Sequence, residues 1–486
     1  MNHTIRHLEP QRLWTIFEEI CAIPHPSKHE ARIIEYVKGF GEKLGLDTQV
    51  DQVGNIVIRK PATPGLEDRK TIVLQGHLDM VPQKNNDTTH DFEKDPIRPV
   101  IDGEWVKASG TTLGADNGIG VAAAMAVLAS NDLEHGPIEC LFTVDEETGM
   151  TGAFGIQPGF LRGDILINLD SEDEGELYIG CAGGIDTNAT FPCPQEPAPA
   201  GHRAFTLEVK GLRGGHSGLD IHLGRGNANK ILTRLLWTVH RELGARLAAI
   251  EGGSLRNAIP REASAIVTVD EKRAEGLKMR VAEIGAMVSH ELSVADPELS
   301  IRIAPADMPG YVMESGAANR LLSSLYGCPN GVMRMDASMP GVVETSTNLA
   351  IVRSKDDTVE VATLQRSSVD SAKEDLCQMI RSVLELGGAE VQHAGAYPGW
   401  KPNVDSPILK TMKEVYNKKF GKVPQQKVIH AGLECGLLGG VYPALDMISF
   451  GPTIRNPHSP DEKVHTGTVG QFWEFLVETL RHAPVK

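Results

Sequence analysis

The chain has 486 residues, 41% of them hydrophobic, with a net charge of −16 and seven scattered cysteines. That length is more than one ordinary core and implies two or more domains, and the composition is that of a folded protein rather than a disordered one. The acidic balance leaves no surface that could neutralise phosphates, so nucleic acid is not an expected partner. No apolar run approaches the roughly 20 residues a bilayer span needs, which excludes a membrane role of that kind. The first 26 residues lack the core of a signal peptide. An odd number of cysteines without Cys-x-x-Cys reads as reduced thiols, and the expected location is the cytoplasm.

Helical periodicity over residues 13–20 breaks at Ile23-Pro24-His25-Pro26 and resumes over 30–44, where Ile33, Val37 and Leu44 fall on or near one face. Apolar runs at 55–59 and 71–74 read as strands, the second leading into Gln75-Gly76-His77-Leu78-Asp79. After a polar loop at 85–95, Thr112-Leu113-Gly114-Ala115-Asp116-Asn117-Gly118 turns into a small-residue helix at 119–129. Two more strands, 138–144 and 165–169, end at Asp145-Glu146-Glu147 and at Asp170. Strands alternating with helices predict a three-layer α/β catalytic domain around a mainly parallel sheet.

A Pro-rich stretch near 192–199 marks an expected boundary. Beyond it come amphipathic strands and long helices: strand 204–210, helix 227–243, strand 263–269, helix 274–292 and strand 299–303. A similar order recurs in helix 317–326, the strand-rich 349–365, helix 371–386 and strand 390–393. The pattern predicts an inserted α+β lid domain built from a degenerate duplicated unit. Helix 407–420, strands 427–429 and 446–450 and helix 469–480 return to the α/β pattern. The expected division is catalytic domain 1–190, lid 191–396 and catalytic domain again over 397–486.

Buried charge without a partner costs too much to persist. Three consecutive acids behind a buried strand, Asp145-Glu146-Glu147, therefore belong at the sheet's edge, on a cation, or both. Open parallel sheets bind ligands at their strand C-termini. His77, Asp116, Glu147 and Asp170 each follow such a strand, and His458 follows strand 446–450 through a turn. Two imidazoles and three carboxylates without a cysteine suit Zn²⁺, Mn²⁺ or Co²⁺ better than a structural thiolate site. Five ligands exceed one tetrahedral ion and suffice for two if one carboxylate bridges the separation of about 3.5–4 Å typical of two-metal hydrolases. At an extended strand end Glu146 and Glu147 would point oppositely, so that only one faces a given ion. That geometry leaves open which one.

The ordered motifs His77-Leu78-Asp79, Gly114-Ala115-Asp116-Asn117-Gly118, Asp145-Glu146-Glu147, Asp170 and His458-Ser459-Pro460-Asp461-Glu462 resemble the aminoacylase/carboxypeptidase family of co-catalytic zinc exopeptidases. The match runs nearly end to end with the bacterial dipeptidases of that family. The resemblance implies that Asp116 bridges two ions, that His77 and Asp170 complete one site, and that Glu147 and His458 complete the other. It implies that Asp79 fixes the His77 tautomer and that Glu146 is the general base. His216, within Gly214-Gly215-His216-Ser217-Gly218, would stabilise the oxyanion. Asn257, Arg366 and the backbone at Gly432 would hold the substrate's C-terminal carboxylate and carbonyl, for which an arginine fork is suited. His430 and Glu434, flanking Gly432, read as ordinary residues.

The activity so implied is hydrolysis of unblocked dipeptides with broad specificity, Xaa-His dipeptides included, on two divalent ions: Zn²⁺, with Co²⁺ or Mn²⁺ as substitutes. Smaller members of the family borrow the oxyanion histidine from a partner subunit. A homodimer through the lid domain is one arrangement this implies, and a doubled lid would let His216 act within its own chain. The alternatives are an N-acyl amino acid amidohydrolase or carboxypeptidase of the same family, and a non-catalytic metal-binding protein. The presence of Glu146 together with all five ligands argues against the last.

Overall fold

Four short apolar runs, buried almost throughout, make the centre of the first sheet. In spatial order they are Ile138–Thr143, Ile72–His77, Ile165–Asn168 and Asp446–Ser449, and each pairs with the next in parallel. Strands covered on both faces tolerate continuous rather than alternating hydrophobic sequence, which is how these runs read. The parallel character stops there. Ile56–Lys60 joins antiparallel on one side, followed by Asp47–Val50, and Glu176–Cys181 joins antiparallel on the other, followed by Gln425–Ile429. Helix Ala115–Ala129 is built of small residues and is almost entirely buried. It lies close to the helix Gln11–Cys21, where a Cβ on Gly118 would come within 2.9 Å of the Phe17 ring.

The computed structural model describes residues 4–486, and they divide into two units. The first comprises Met1–Gly180, Pro402–Val428 and Leu433–Lys486; the second comprises Cys181–Lys401 and Ile429–Gly432. None of the described helices is long and apolar enough to cross a membrane. All seven cysteines are buried.

The main sheet of the second unit is antiparallel in every one of its pairings. Its spatial order is Ser300–Ala306, His202–Lys210, Ala263–Asp270, Arg246–Gly252, Val343–Lys355, Thr358–Ser367, Gly183–Pro192 and Glu390–Tyr397. Numbered by chain position within each half, the first four strands stand 4-1-3-2 and the last four 2-3-1-4, the same order reversed. In each half one helix joins strands 1 and 2 and another joins strands 3 and 4. These helices are Ala228–Leu243 and Ala274–Glu291 in one half, Ser315–Gly327 and Asp370–Leu386 in the other. The duplicated unit is therefore a β-α-β-β-α-β motif present twice, and one continuous core that includes Leu207, Leu235, Val267, Leu321, Leu349 and Ile380 draws on both copies.

The copies are nested, not in tandem. Gly183–Pro192 is the first strand of the second copy, and the whole first copy is inserted between it and the helix Ser315–Gly327. This moves the boundaries read from composition. The division falls between Gly180 and Cys181 rather than in the Pro-rich stretch, because Gly183–Pro192 belongs to the second sheet. At the other end, the strand Glu390–Tyr397 and the bridge from Cys181 to Trp400 carry the unit on to Lys401. The short piece Ile429–Gly432 also belongs to it.

Candidate metal centre

The C-terminal ends of the central strands carry the candidate ligands. His77 closes its strand and is only 1% exposed. Its Nδ1 faces Asp79, 3.0 Å from the carbonyl oxygen and 3.4 Å from Oδ1. Its Nε2 faces Asp116 Oδ1 at 3.3 Å and Asp170 Oδ1 at 3.4 Å. The other Asp116 oxygen, Oδ2, lies 3.3 Å from Nε2 of His458, which is 3.0 Å from Glu147 Oε2. Asp116 thus offers one oxygen to each imidazole and belongs to two sets, His77–Asp116–Asp170 and Asp116–Glu147–His458, each with its ligand atoms within 4.8 Å of one another.

Ring nitrogens can sit this close to carboxylate oxygens only if a positive centre, an N–H proton or a metal cation, lies between them. With protons as that centre, burial opposes the His77 cation, but Asp170 and Asp116 raise its pKa well above the usual value. Asp116 and Glu147 push His458 up to about 11. A set of two imidazoles and three carboxylates suits borderline divalent ions, and Glu147 Oε1, buried without a hydrogen-bond partner, is a lone pair available to one of them. The five residues fit a two-ion site.

Glu146 and Glu147 are not at an extended strand end. Asp145 adopts a left-handed conformation (φ 51°), accepts hydrogen bonds from the Thr148 and Thr151 hydroxyls, and starts a helical turn, Glu146–Gly149. The expectation that the two side chains point oppositely is therefore corrected: both come together with His77 in one set of possible ligands. The N–H groups of both donate to Asp79, at 2.9 and 3.2 Å. Burial works against the Asp79 carboxylate, but His77 and the Glu146 N–H bring it down to about 2. Asp79 orients His77 and the Glu146 turn at once.

The second unit carries the other sequence-predicted residues. His216 lies on the two-residue strand Gly215–His216, paired with Ala258–Ile259, and the carbonyl of Asn257 accepts from the Ser217 N–H at 2.7 Å. His216 Nδ1 accepts from the N–H groups of Gly218 (3.2 Å) and Leu219 (3.0 Å). The ring proton of the neutral imidazole is consequently on Nε2. Burial and Arg366 lower the His216 pKa and favour that neutral form. Gly218 cannot carry a side chain, since a Cβ would run into the His430 carbonyl oxygen. Arg366 is 5% exposed and donates to the Tyr397 hydroxyl (3.1 Å) and the Ser217 hydroxyl (3.4 Å), with no carboxylate partner among the described residues. Gly432 lies in the piece Ile429–Gly432, which Ala182 N–H anchors through the carbonyls of Ile429 and Ala431.

A model of peptidase family M20/M25/M40 matches residues 73–482. The chain belongs to that family. It is 50% identical over 482 residues to the cytosol non-specific dipeptidase of Escherichia coli (strain K12), covering 99% of each chain. It superposes on the crystal structure of an aminoacylhistidine dipeptidase from Vibrio alginolyticus with a TM-score of 0.96 at 50% identity, covering 99% of this chain and 98% of that one. A tripeptidase from Staphylococcus aureus, 16% identical, shares the fold with a TM-score of 0.57 over 98% of each chain. As an M20/M25/M40 peptidase the chain is a metal-dependent peptide-bond hydrolase.

Several residues that build this peptidase's centre carry no role in the sequence reading. Glu462 accepts the N–H groups of Leu113, Gly114, Ala115 and Asp116 at 2.7–3.1 Å and so fixes the turn that presents Asp116. Ser27 donates to Asp79 at 2.8 Å, and Glu30 accepts the Asp145 N–H at 3.1 Å. Glu434, which reads as an ordinary residue, is fully buried and accepts from Gln75 (2.5 Å) and Thr143 (2.9 Å), and burial pushes it up to about 7. Gln75, Asn168, Ser449 and Ser171 continue that chain of hydrogen bonds across the strand ends. Of these, only Glu462 lies inside a recognisable motif.

Proposed function

We propose that the chain is a two-metal dipeptidase that cleaves unblocked dipeptides of broad sequence, Xaa-His dipeptides among them, with Zn²⁺ as its ions and Co²⁺ or Mn²⁺ as replacements. The observation that carries this reading is the division of the Asp116 oxygens between His77 and His458. The names of the Escherichia coli and Vibrio alginolyticus relatives support the dipeptide substrate. His77, Asp116 and Asp170 would hold one ion, and Asp116, Glu147 and His458 the other. When bound, two such ions supply Lewis acidity and bring the pKa of water toward neutrality.

Glu146 takes a proton from the attacking water as its oxygen bonds to the scissile carbonyl carbon. It then gives that proton to the amide nitrogen as the C–N bond breaks, leaving a carboxylic acid product and a free amine. Burial, then the charges of Asp170, Glu434 and Glu147, hold the Glu146 carboxyl well above its ordinary range, with His77 opposing. A group that must both take and release a proton benefits from that. Asp79 keeps His77 and the Glu146 turn in place. The His216 Nε2–H is a donor suited to a carbonyl oxygen turning into an oxyanion. Arg366, a buried cation without an anionic partner among the described residues, suits the free carboxylate of a dipeptide, and Asn257 and the Gly432 backbone are assigned the same role.

We extend the reading to a cytoplasmic location, supported by the name of the Escherichia coli relative, and to a homodimer through the inserted unit. The test is kcat/KM on unblocked dipeptides, N-acyl amino acids and tripeptides, with metal content measured on the same preparation. The expected result is a preference for unblocked dipeptides with two ions per chain. Preference for N-acyl amino acids would overturn the dipeptidase reading, and an active metal-free enzyme would overturn the mechanism.

A further inference from the structure

One acid beside this centre has a side chain without a partner among the described residues. After Asp170 the chain enters an acidic run, 172–176, in which the neighbouring acids are paired. Asp173 meets Arg455 at 2.9 Å, Glu174 meets Lys422 at 3.7 Å and the Tyr416 hydroxyl, and Glu176 meets Lys427 at 3.2 Å. The Glu172 carboxylate, though half-buried, makes no hydrogen bond or ion pair among the described residues. Only its backbone is engaged: the carbonyl accepts from the Ile454 N–H at 3.1 Å and from Arg455 Nη1 at 3.0 Å. Those bonds fix Glu172 beside the segment that leads to His458. The charged groups acting on its side chain are Asp116, His458, Asp173 and Glu147.

A half-buried carboxylate with no hydrogen bond or ion pair of its own gains when a cation arrives to pair with it. The one cation that every unblocked peptide brings is its α-ammonium. In a dipeptide that nitrogen is two bonds from the scissile carbonyl carbon, about 2.5 Å away, so its receptor must stand next to the reacting centre. Asp116, Glu147 and Asp170 are committed to ions in the reading above, and Glu146 to the proton.

We propose that Glu172 receives the α-ammonium of the dipeptide and so makes a free N-terminus a requirement for turnover. The inference rests on the dipeptidase reading. The experiment compares wild type, Glu172→Gln and Asp173→Asn. Each is assayed on a dipeptide and its N-acetyl derivative and titrated with a non-hydrolysable dipeptide isostere that carries or lacks the α-amino group. Glu172→Gln is expected to raise KM for the dipeptide roughly tenfold to a hundredfold, with kcat changed less, and to lose the isostere's amino-group advantage by a similar factor. Metal content should stay as in wild type, and Asp173→Asn should keep the discrimination. If Glu172→Gln still prefers the amino-bearing isostere, the inference is overturned. If it sheds metal, Glu172 is an ion ligand and the inference is overturned as well. If wild type itself shows no amino-group preference, the dipeptidase reading fails, and the inference with it.

Discussion

Glu146 and Glu147 are adjacent, of the same residue type and in the same helical turn, yet they face different partners. Glu147 Oε2 is 3.0 Å from His458, whereas the Glu146 carboxylate is buried in the field of His77, Asp170, Glu434 and Glu147. Glu146→Gln should therefore keep both ions and lower kcat by about 10²–10⁴-fold, the usual worth of a positioned general base. Metal analysis alongside single-turnover kinetics checks it; near wild-type turnover would remove Glu146 from the reaction. His430 permits a prediction about stability. Burial, with Arg366 beside it, pushes its pKa down to about 3, and Nε2 is 2.7 Å from the Ser346 hydroxyl. In the unfolded chain a histidine titrates near about 6.5. Unfolding between those values takes up a proton, so the contribution of the neutral ring is whole above about 6.5 and is lost as pH falls toward about 3. Urea unfolding of wild type and His430→Gln between about pH 7 and 5 should show wild type losing its advantage by up to about 1.4 kcal/mol per pH unit. Parallel pH dependence in the two proteins would contradict it.

At the scale of elements, the centre depends on how a few turns are tied down. A single carboxylate, Glu462, serves four successive N–H groups from 113 to 116. The backbone at Asp116 and Asn117 departs from helical angles just where the helix Ala115–Ala129 begins, so the turn has no ladder of its own to hold it. Glu462→Gln keeps one acceptor oxygen and turns an NH₂ toward N–H donors. Metal affinity should drop about 10–100-fold, as when groups behind a ligand are changed, and the melting temperature should fall. Competition with a graded chelator measures the first; unchanged affinity would mean that Asp116 is placed by other means. This also shows what was legible beforehand. His77, Asp116, Glu147, Asp170 and His458 could be read because imidazoles and carboxylates at the ends of apolar runs are unusual by residue type alone. Glu30 and Ser27 could not, and Glu462, although inside the His458 motif, gives no sign of its role there, because all three act on backbone N–H groups or on Asp79 through contacts distant in sequence. The helix Glu434–Val441 went unread because its Glu-Cys-Gly-Leu-Leu-Gly-Gly sequence has weak helix propensity. The Glu146 turn reads as the end of a strand because nothing local announces the left-handed Asp145.

At the scale of the whole chain, nesting is what composition could least reveal, because the strand that closes the outer copy pairs far away in sequence. Gly183–Pro192 pairs with Thr358–Ser367 and with Glu390–Tyr397, across the entire inner copy. The inner strands His202–Lys210, Arg246–Gly252, Ala263–Asp270 and Ser300–Ala306 find their partners within a contiguous stretch. The hairpin of Val343–Lys355 and Thr358–Ser367 closes over a two-residue turn and is local in sequence. Loop-closure entropy grows with the length of disordered chain enclosed, and non-local pairing slows folding. Once the inner copy has folded, less flexible chain remains between Gly183–Pro192 and its partners, and its docking becomes easier. The inner copy should therefore form first. In pulse-labelling hydrogen exchange during refolding of the full chain, amides of His202–Lys210 and Ala263–Asp270 are expected to be protected before those of Gly183–Pro192 and Glu390–Tyr397. Protection of Gly183–Pro192 before or together with the inner strands would mean that the outer copy nucleates the sheet, and that the nesting imposes no order on folding.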